Sequence, residues 1–195
     1  MYTKQNSWKT ILYICLVLLL SPASQAEEVK TKKVKLQDIQ LEVPATWKQQ
    51  QPTSRLRAGQ FQLPPTGKDK ESAELVVYFF GGGGGGVDAN LKRWIGQFTP
   101  KGRKVVMAMG KSPQGPYYVA EVTGAYNKPI GPPIRQQTKL TPGSRMVAVI
   151  LMIEGKGNYF LKLTGPDKTV ADGTVALRKA FGADPAKEKP YQLGN

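Results

Sequence analysis

Residues 71–98 read ESAELVVYFFGGGGGGVDANLKRWIGQF, and this stretch decides the fold. From residue 75 to residue 80 the side chains on both faces of the predicted strand are apolar, which is typical of a central strand covered on both sides. Apolar residues then return at the spacing of an amphipathic helix, at Val87, Leu91, Trp94, Ile95 and Phe98. The pattern predicts a strand, a glycine turn and a helix that begins near Asp88, a candidate N-cap residue.

The rest of the chain adds predicted strands on both sides of this unit. They cover residues 34–43, 54–63, 104–109, 116–126, 144–154 and 159–164, and a second helix follows Asp167. Successive strands are mostly joined by short turns, so we expect a mostly antiparallel sheet. Two strands that are apolar on both faces and two amphipathic helices predict an α+β domain. Its expected architecture is an α/β/α sandwich with about seven strands and two main helices.

The longest irregular segment is predicted at residues 127–143, which read NKPIGPPIRQQTKLTPG. Its four prolines and two glycines argue against regular structure. A connection of this length inside a compact domain is usually either functional or mobile, and the sequence leaves both readings open. The segment carries three basic residues, Lys128, Arg135 and Lys139.

The first residues have the pattern of a secretory signal peptide. Lys4 and Lys9 form a basic start, residues 11–20 form an apolar core, and a small-x-small cleavage site ends at Ala26. We therefore expect cleavage after Ala26 and a periplasmic or secreted mature chain. No later stretch reaches the roughly 20 apolar residues that a transmembrane helix needs.

The mature chain is expected to form one domain with short extensions. Residues 27–33 are charged and lack apolar periodicity, so a mobile arm is predicted there. Residues 34–182 carry the predicted strands and helices and are long enough to bury a core. Residues 183–195 are polar and contain prolines, which predicts a tail that is disordered at its end.

The missing residue types narrow the possible chemistry. The chain contains no histidine, the commonest general base and metal ligand, which excludes Ser-His-Asp hydrolases and histidine-ligated zinc. Its only cysteine, Cys15, lies in the apolar core of the signal pattern, so the mature chain has no disulfide and no thiolate metal site. No catalytic, cofactor-binding or metal-binding residue is predicted.

The charge balance points to anionic partners. The chain has 28 Lys and Arg residues against 14 Asp and Glu residues, and loss of Lys4 and Lys9 with the signal lowers its net charge of +14 by only two. Such a charge favours lipid headgroups, acidic polysaccharide or an acidic face of an envelope protein. Nucleic acid is the least expected partner of an exported chain. The same charge also suits a solvated surface that keeps a protein soluble.

Two local features have both a structural and a functional reading. The glycines at positions 81–86 precede a helix as in phosphate-binding loops, but the Gly-Lys-Ser/Thr ending is missing and Asp88 places negative charge there. A permissive turn with positive φ angles is therefore favoured. On the helix, Asn90, Arg93 and Gln97 share one flank. They form either a recognition stripe or hydrogen bonds that fix the glycine turn or residues 127–143, and the second reading is favoured.

The glycine turn and the helix that follows it resemble those of a family of uncharacterised exported bacterial proteins. In that family a glycine-rich turn precedes an N-x-x-R-W-x-x-Q-F helix, whose positions here are Asn90, Arg93, Trp94, Gln97 and Phe98. The resemblance covers roughly residues 43–181 and implies no particular activity. The order of elements is also similar to the PsbP-like fold, which implies a protein that binds other proteins or serves in assembly, and which carries over no site residue.

These observations favour a non-enzymatic binding or accessory module that meets an anionic or protein partner through its basic surface. The possible recognition surface consists of Asn90, Arg93, Gln97, Lys128, Arg135 and Lys139. The alternative is a small histidine-free hydrolase that uses carboxylate and lysine chemistry. Glu121 and Glu154 lie in otherwise apolar strands, where Arg145 or Lys162 are candidate ion-pair partners.

Overall fold

The computed structural model describes Met1 and residues 29–81, 83–131 and 135–194, so the predicted signal peptide lies outside the described residues except for Met1. The described strands are β1 Thr31–Leu36, β2 Ile39–Pro44, β3 Lys48–Gln49, β4 Arg57–Leu63, β5 Ala73–Phe79, β6 Lys104–Ser112, β7 Gly115–Pro129, β8 Thr138–Ile153, β9 Gly157–Pro166 and β10 Lys189–Pro190. The helices are α1 Val87–Ile95 and α2 Asp167–Ala180, with a short 3-10 helix at Pro185–Lys187. No helix in this part of the chain combines the length and apolar character needed to cross a membrane.

Eight of the described strands form one antiparallel sheet in the order β10-β6-β7-β8-β9-β5-β4-β3. The strands β1 and β2 pair with each other as a separate antiparallel hairpin. The predicted α+β class, with two helices and a mostly antiparallel sheet, is confirmed, although the sheet has eight strands instead of about seven. Its register brings distant segments together, since Glu74 on β5 lies opposite Thr164 on β9.

Two hydrophobic clusters lie on opposite faces of the sheet, because side chains alternate along each strand. On one face Leu161 of β9 shares a cluster with Leu177 of α2. On the other face the neighbouring Phe160 shares a cluster with Leu91 and Trp94 of α1. The rings of Trp94 and Phe160 meet edge to face, with centroids 6.1 Å apart. The two helices therefore cover opposite faces of the sheet.

The N-terminal strands form a small hairpin on the α2 face. The sequence predicts one irregular strand at residues 34–43, whereas the structure has two strands joined by a turn in which Gln37 has a φ of 54°. The prediction of a mobile arm at residues 27–33 is wrong for its last three residues, because β1 begins at Thr31. Trp47, which follows β2, packs into the core with this hairpin and is 4% exposed.

The glycine turn joins β5 to α1 and is held by the helix itself. Gly84 has a φ of 106°, and a Cβ atom there would lie 2.7 Å from Cε2 of Phe160. Nδ2 of Asn90 donates hydrogen bonds to the carbonyl oxygens of Gly84 at 2.7 Å and of Gly86 at 2.9 Å. The N-cap residue of α1 is Gly86, so the prediction of Asp88 as N-cap is wrong. Asn90 therefore fixes the turn.

The prediction of an irregular segment at residues 127–143 is wrong for most of its length. The strand β7 continues to Pro129 and β8 begins at Thr138, with Lys128 opposite Lys139. A register shift between Gly124 and Tyr126 marks the base of this extension. We call residues 127–129 and 138–140 the hairpin arm, because they pair with each other beyond the partner strands β6 and β9.

The C-terminal tail packs on the domain, so the prediction of a disordered end is wrong for the residues described there. After the 3-10 helix, β10 pairs with β6. The ring of Tyr191 meets the ring of Tyr118 edge to face, with centroids 4.9 Å apart. Its hydroxyl donates a hydrogen bond to Oδ1 of Asp88 at 2.6 Å, and the N–H of Gly194 donates to Oδ2 of the same carboxylate at 2.8 Å. These two hydrogen bonds engage Asp88.

An ion-pair network ties the tail to α2 and the sheet. The Arg178 side chain is 8% exposed, and its Nε and Nη2 atoms lie 2.7 Å and 2.8 Å from carboxylate oxygens of Glu188 and Glu121. The hydroxyl of Tyr117 also donates to Glu188 at 3.0 Å. Arg145 lies 3.5 Å from Glu121, which confirms Arg145 as its predicted ion-pair partner. Removing one member of this network is expected to be destabilising, because a buried charge then loses its partner.

Replacing Gly84 by serine is expected to lower the free energy of unfolding by about 1–3 kcal/mol, because the new Cβ atom meets the buried Phe160 ring at an unfavourable φ. The matched control is Gly86→Ser, where a Cβ atom meets nothing within 4 Å and serine is a good N-cap residue. Urea unfolding of both variants measures the difference. Equal losses of stability would contradict a steric role of Gly84.

Replacing Glu188 by glutamine is expected to lower the free energy of unfolding by roughly 1–3 kcal/mol, because Arg178 keeps only one of its two carboxylate partners. The control is Glu154→Gln, an exposed carboxylate that makes no salt bridge within the described chain. Thermal and urea unfolding would be compared for both. An unchanged free energy of unfolding in Glu188→Gln would show that the contacts of the tail contribute little to stability.

Candidate functional site

A polar cavity of about 710 Å³ opens beside Tyr126 on the α1 face of the sheet. Phe98, which lies just beyond the C-terminal end of α1, packs against Tyr126 with the two rings tilted by 32° and their centroids 5.0 Å apart. The cavity is lined by the segment before β5, residues 68–72 with Glu74, by the base of the hairpin arm, Lys128 and residues 141–144, and by residues 164–166. The cavity therefore lies where α1 ends and the hairpin arm begins.

Lys162 of β9 lies on the same face of the sheet, next to this cavity. Its Nζ atom donates a hydrogen bond to Oε1 of Gln97 at 2.6 Å and another to the hydroxyl of Tyr126 at 3.3 Å. Burial, and then the positive charge of Arg93, lower the pKa of Lys162 to about 8, while Glu74 opposes the shift. Burial also raises the pKa of Tyr126 to about 12. Lys162 is therefore a largely desolvated amine held in a fixed position.

The predicted helix flank divides into different roles. Asn90 is 3% exposed and holds the glycine turn, so its amide is not available to a partner. Nη2 of Arg93 donates to Oδ1 of Asn90 at 2.5 Å, and the Arg93 side chain is otherwise exposed. Gln97 is half-buried and accepts the hydrogen bond from Lys162. The favoured structural reading therefore holds for Asn90, and Gln97 positions a cation beside the cavity.

The three basic residues of the segment 127–143 are not all at the cavity. Lys128 lines it together with Tyr126, whose hydroxyl contacts Lys162. Arg135 and Lys139 are exposed and do not line it. The structure therefore places Lys128 at the same cavity as Tyr126, the partner of Lys162, and it leaves Arg135 and Lys139 outside the lining.

Two carboxylates at the cavity are engaged by other groups. Oδ2 of Asp69 accepts hydrogen bonds from the N–H and the hydroxyl of Thr169, both at 2.8 Å, at the start of α2. Oε1 of Glu74 accepts a hydrogen bond from Gln60 at 2.7 Å and lies 3.6 Å from Nη1 of Arg57. Both negative charges are therefore partly satisfied inside the protein.

Sequence reasoning missed Lys162 as a site residue, together with Tyr126 and Thr164. The expected pairing of Lys162 with Glu121 or Glu154 is wrong, because its described partners are Gln97 and Tyr126. One signal was available in the stretch YFLKLT at residues 159–164, where a single lysine interrupts apolar residues. A single lysine in an apolar strand is either exposed to solvent or held by hydrogen-bond acceptors from other elements, and the sequence does not distinguish the two.

A scan of the chain against protein-family models found no matching family, and a search of curated proteins found no match. The resemblance to the N-x-x-R-W-x-x-Q-F family and the PsbP-like fold therefore stay predictions. Within the part of the chain that the structure describes, no three potential metal-ligating side chains come together.

The pKa of Lys162 predicts a pH dependence of stability. The folded protein binds fewer protons than the unfolded chain between about pH 8 and the ordinary lysine pKa of 10.5, so its free energy of unfolding should rise with pH there. Relative to Lys162→Met, the wild type is expected to gain on the order of 2 kcal/mol from pH 8 to pH 10. Urea unfolding at several pH values measures this difference.

The control for this series is Lys139→Met, an exposed lysine on the hairpin arm. Its difference in stability from the wild type should stay constant between pH 8 and pH 10. Tyrosines with raised pKa values act in the opposite direction above pH 10, because the unfolded chain then loses protons first. A wild type that gains nothing relative to Lys162→Met would show that Lys162 is well solvated.

Proposed function

We propose that the protein is an exported, non-enzymatic binding or accessory module that meets an anionic or protein partner through a basic surface. The observation that carries this proposal is the group of cations around the cavity, where Lys128 lines the wall and Lys162 lies behind Tyr126. Neither lysine makes a salt bridge within the described residues. The exposed charge of Lys128 is therefore available to an external anion, and the half-buried Lys162 adds positive potential nearby.

Export is the second part of the proposal. It rests on the signal pattern that ends at Ala26, and it implies a periplasmic or secreted protein. In that compartment the anionic partners within reach are lipid headgroups, acidic polysaccharide and acidic faces of envelope proteins. Long-range attraction brings a partner to a strongly basic protein, and salt weakens that attraction.

The hairpin arm supports the same proposal. Its strands place Lys128 opposite Lys139, and Arg135 lies at the tip side of the arm. Two like charges opposite each other on a strand pair are unfavourable without a neutralising partner. An anion bound at the arm would relieve this repulsion, so the arm gains stability when a partner is present.

One observation favours the alternative of a histidine-free hydrolase. Lys162 has a pKa lowered to about 8 by burial and by Arg93, as a lysine general base requires. Its described hydrogen bonds nevertheless go to the Gln97 amide and to Tyr126, whose pKa is raised to about 12 by burial. Neither group is an activated nucleophile. Binding therefore has the stronger support.

The proposal is tested by retention of the mature protein on immobilised dextran sulfate across a salt gradient. The variant K128Q/R135Q/K139Q removes the three basic residues of the segment 127–143, and it is expected to elute at a clearly lower salt concentration than the wild type. The matched control is K30Q/K33Q/K35Q, which removes the same charge from the N-terminal hairpin region. Equal shifts in the two variants would show that only net charge matters, and the proposed surface would be wrong.

A further inference from the structure

The cavity beside Tyr126 has walls that suit a hydroxyl-rich ligand. Among the described residues that line it there is no Leu, Ile, Val, Met, Phe or Trp. Ser72 and Thr164 line it, and their hydroxyls make no hydrogen bond within the described part of the protein. Their groups are therefore free to donate to and accept from a ligand.

The free charge of the cavity is positive. Three lysines line it, Lys68, Lys70 and Lys128, and none of them makes a salt bridge in the described ranges. Arg57 lies 3.6 Å from Glu74 and offsets its charge, whereas Thr169 hydrogen-bonds to Asp69 without supplying a positive charge. Three lysines of the lining therefore face two carboxylates that have no cationic partner in the described ranges, Asp69 and Glu71. A ligand with a negative charge is favoured.

The size of the cavity and its mixture of polar and apolar surface fit sugar rings. Its volume of about 710 Å³ lies inside the range of about 300–1,000 Å³ that is typical of ligand cavities. Pro142, Pro166 and Tyr126 are among the lining residues that can contribute apolar surface. Carbohydrates present C–H faces between their hydroxyls, so alternating polar and small apolar surfaces match them.

We infer that this cavity binds an acidic saccharide, a sugar acid that is either free or a unit of an acidic polysaccharide. Its hydroxyls hydrogen-bond to Ser72 and Thr164, and its carboxylate pairs with Lys70 and Lys128. Lys162 adds positive potential from behind Tyr126. The inference rests on the proposed binding function and names its ligand class and its site.

The test is isothermal titration calorimetry of the mature protein with galacturonic acid, trigalacturonic acid and neutral maltotriose, at low and at physiological ionic strength. Trigalacturonic acid is expected to bind saturably and maltotriose is not. Binding of the monomer as well would identify a free sugar acid as the ligand, and binding of the trimer alone would identify a polysaccharide unit. Both results support the inference.

Variants distinguish the cavity from the general basic surface. K70Q/K128Q is expected to weaken trigalacturonic acid binding at least about tenfold, since each lysine loses a charged hydrogen bond. Thr164→Val leaves the net charge unchanged and should weaken binding roughly fivefold. K33Q/K35Q removes the same charge as K70Q/K128Q from exposed residues outside the cavity and should leave the affinity unchanged. Circular dichroism and urea unfolding establish that each variant is folded.

Three results would overturn the inference. Maltotriose binding as tightly as trigalacturonic acid would show that the cavity does not select an acidic sugar. Equal weakening by K33Q/K35Q would show that only the net charge of the protein matters. Absence of saturable binding together with salt-dependent retention on dextran sulfate would reject the saccharide site and leave the proposed function standing. Loss of that retention as well would reject both.

Discussion

The central strands β5, β8 and β9 have apolar side chains on both faces, and this constraint decides where the other elements lie. Each Å² of apolar surface left in water would cost about 25 cal/mol, so both faces need a cover. The helix α2 and the β1–β2 hairpin cover one face. The nine-residue helix α1 is about 13 Å long, whereas eight strands at a spacing of roughly 4.8 Å span on the order of 34 Å. One short helix leaves part of its face open.

The candidate site lies where that cover ends. Along β9, Phe160 lies under α1, Lys162 bonds to Gln97 just beyond the last turn of the helix, and Thr164 lines the cavity. The same strand therefore supplies the core at one end and polar site groups at the other. The Lys162 amine can stay away from bulk water because Gln97 and Tyr126 accept its hydrogen bonds. Packing and site chemistry depend on one helix boundary.

The layered arrangement of helices and sheet could be predicted from local sequence patterns. The tail and the candidate site could not, because they depend on contacts between residues far apart in the chain. Uninterrupted apolar strands and the glycine turn are visible in a few neighbouring residues. The packing of the tail is not visible in the sequence, because Tyr191 contacts Asp88, which lies 103 residues earlier in the chain, and no periodic pattern marks this contact. The prolines of residues 127–143 led to the prediction of an irregular segment instead of a strand pair. Pro129 is nevertheless compatible with β7, because it lies at the end of the strand, where fewer ladder hydrogen bonds are needed. Lys162 looks like a solvated strand residue until the position of Gln97 is known.

The place of β9 beside β5 has a consequence for how the chain folds. The helix α1 and three strands lie between these partners in the sequence, yet Glu74 pairs with Thr164. During synthesis β5 therefore stays an unpaired apolar edge on that side until β9 has emerged, and such non-local pairing slows folding. Exposed strands of this kind are where aggregation begins. A chain of this topology is expected to depend on chaperones more than its modest size implies.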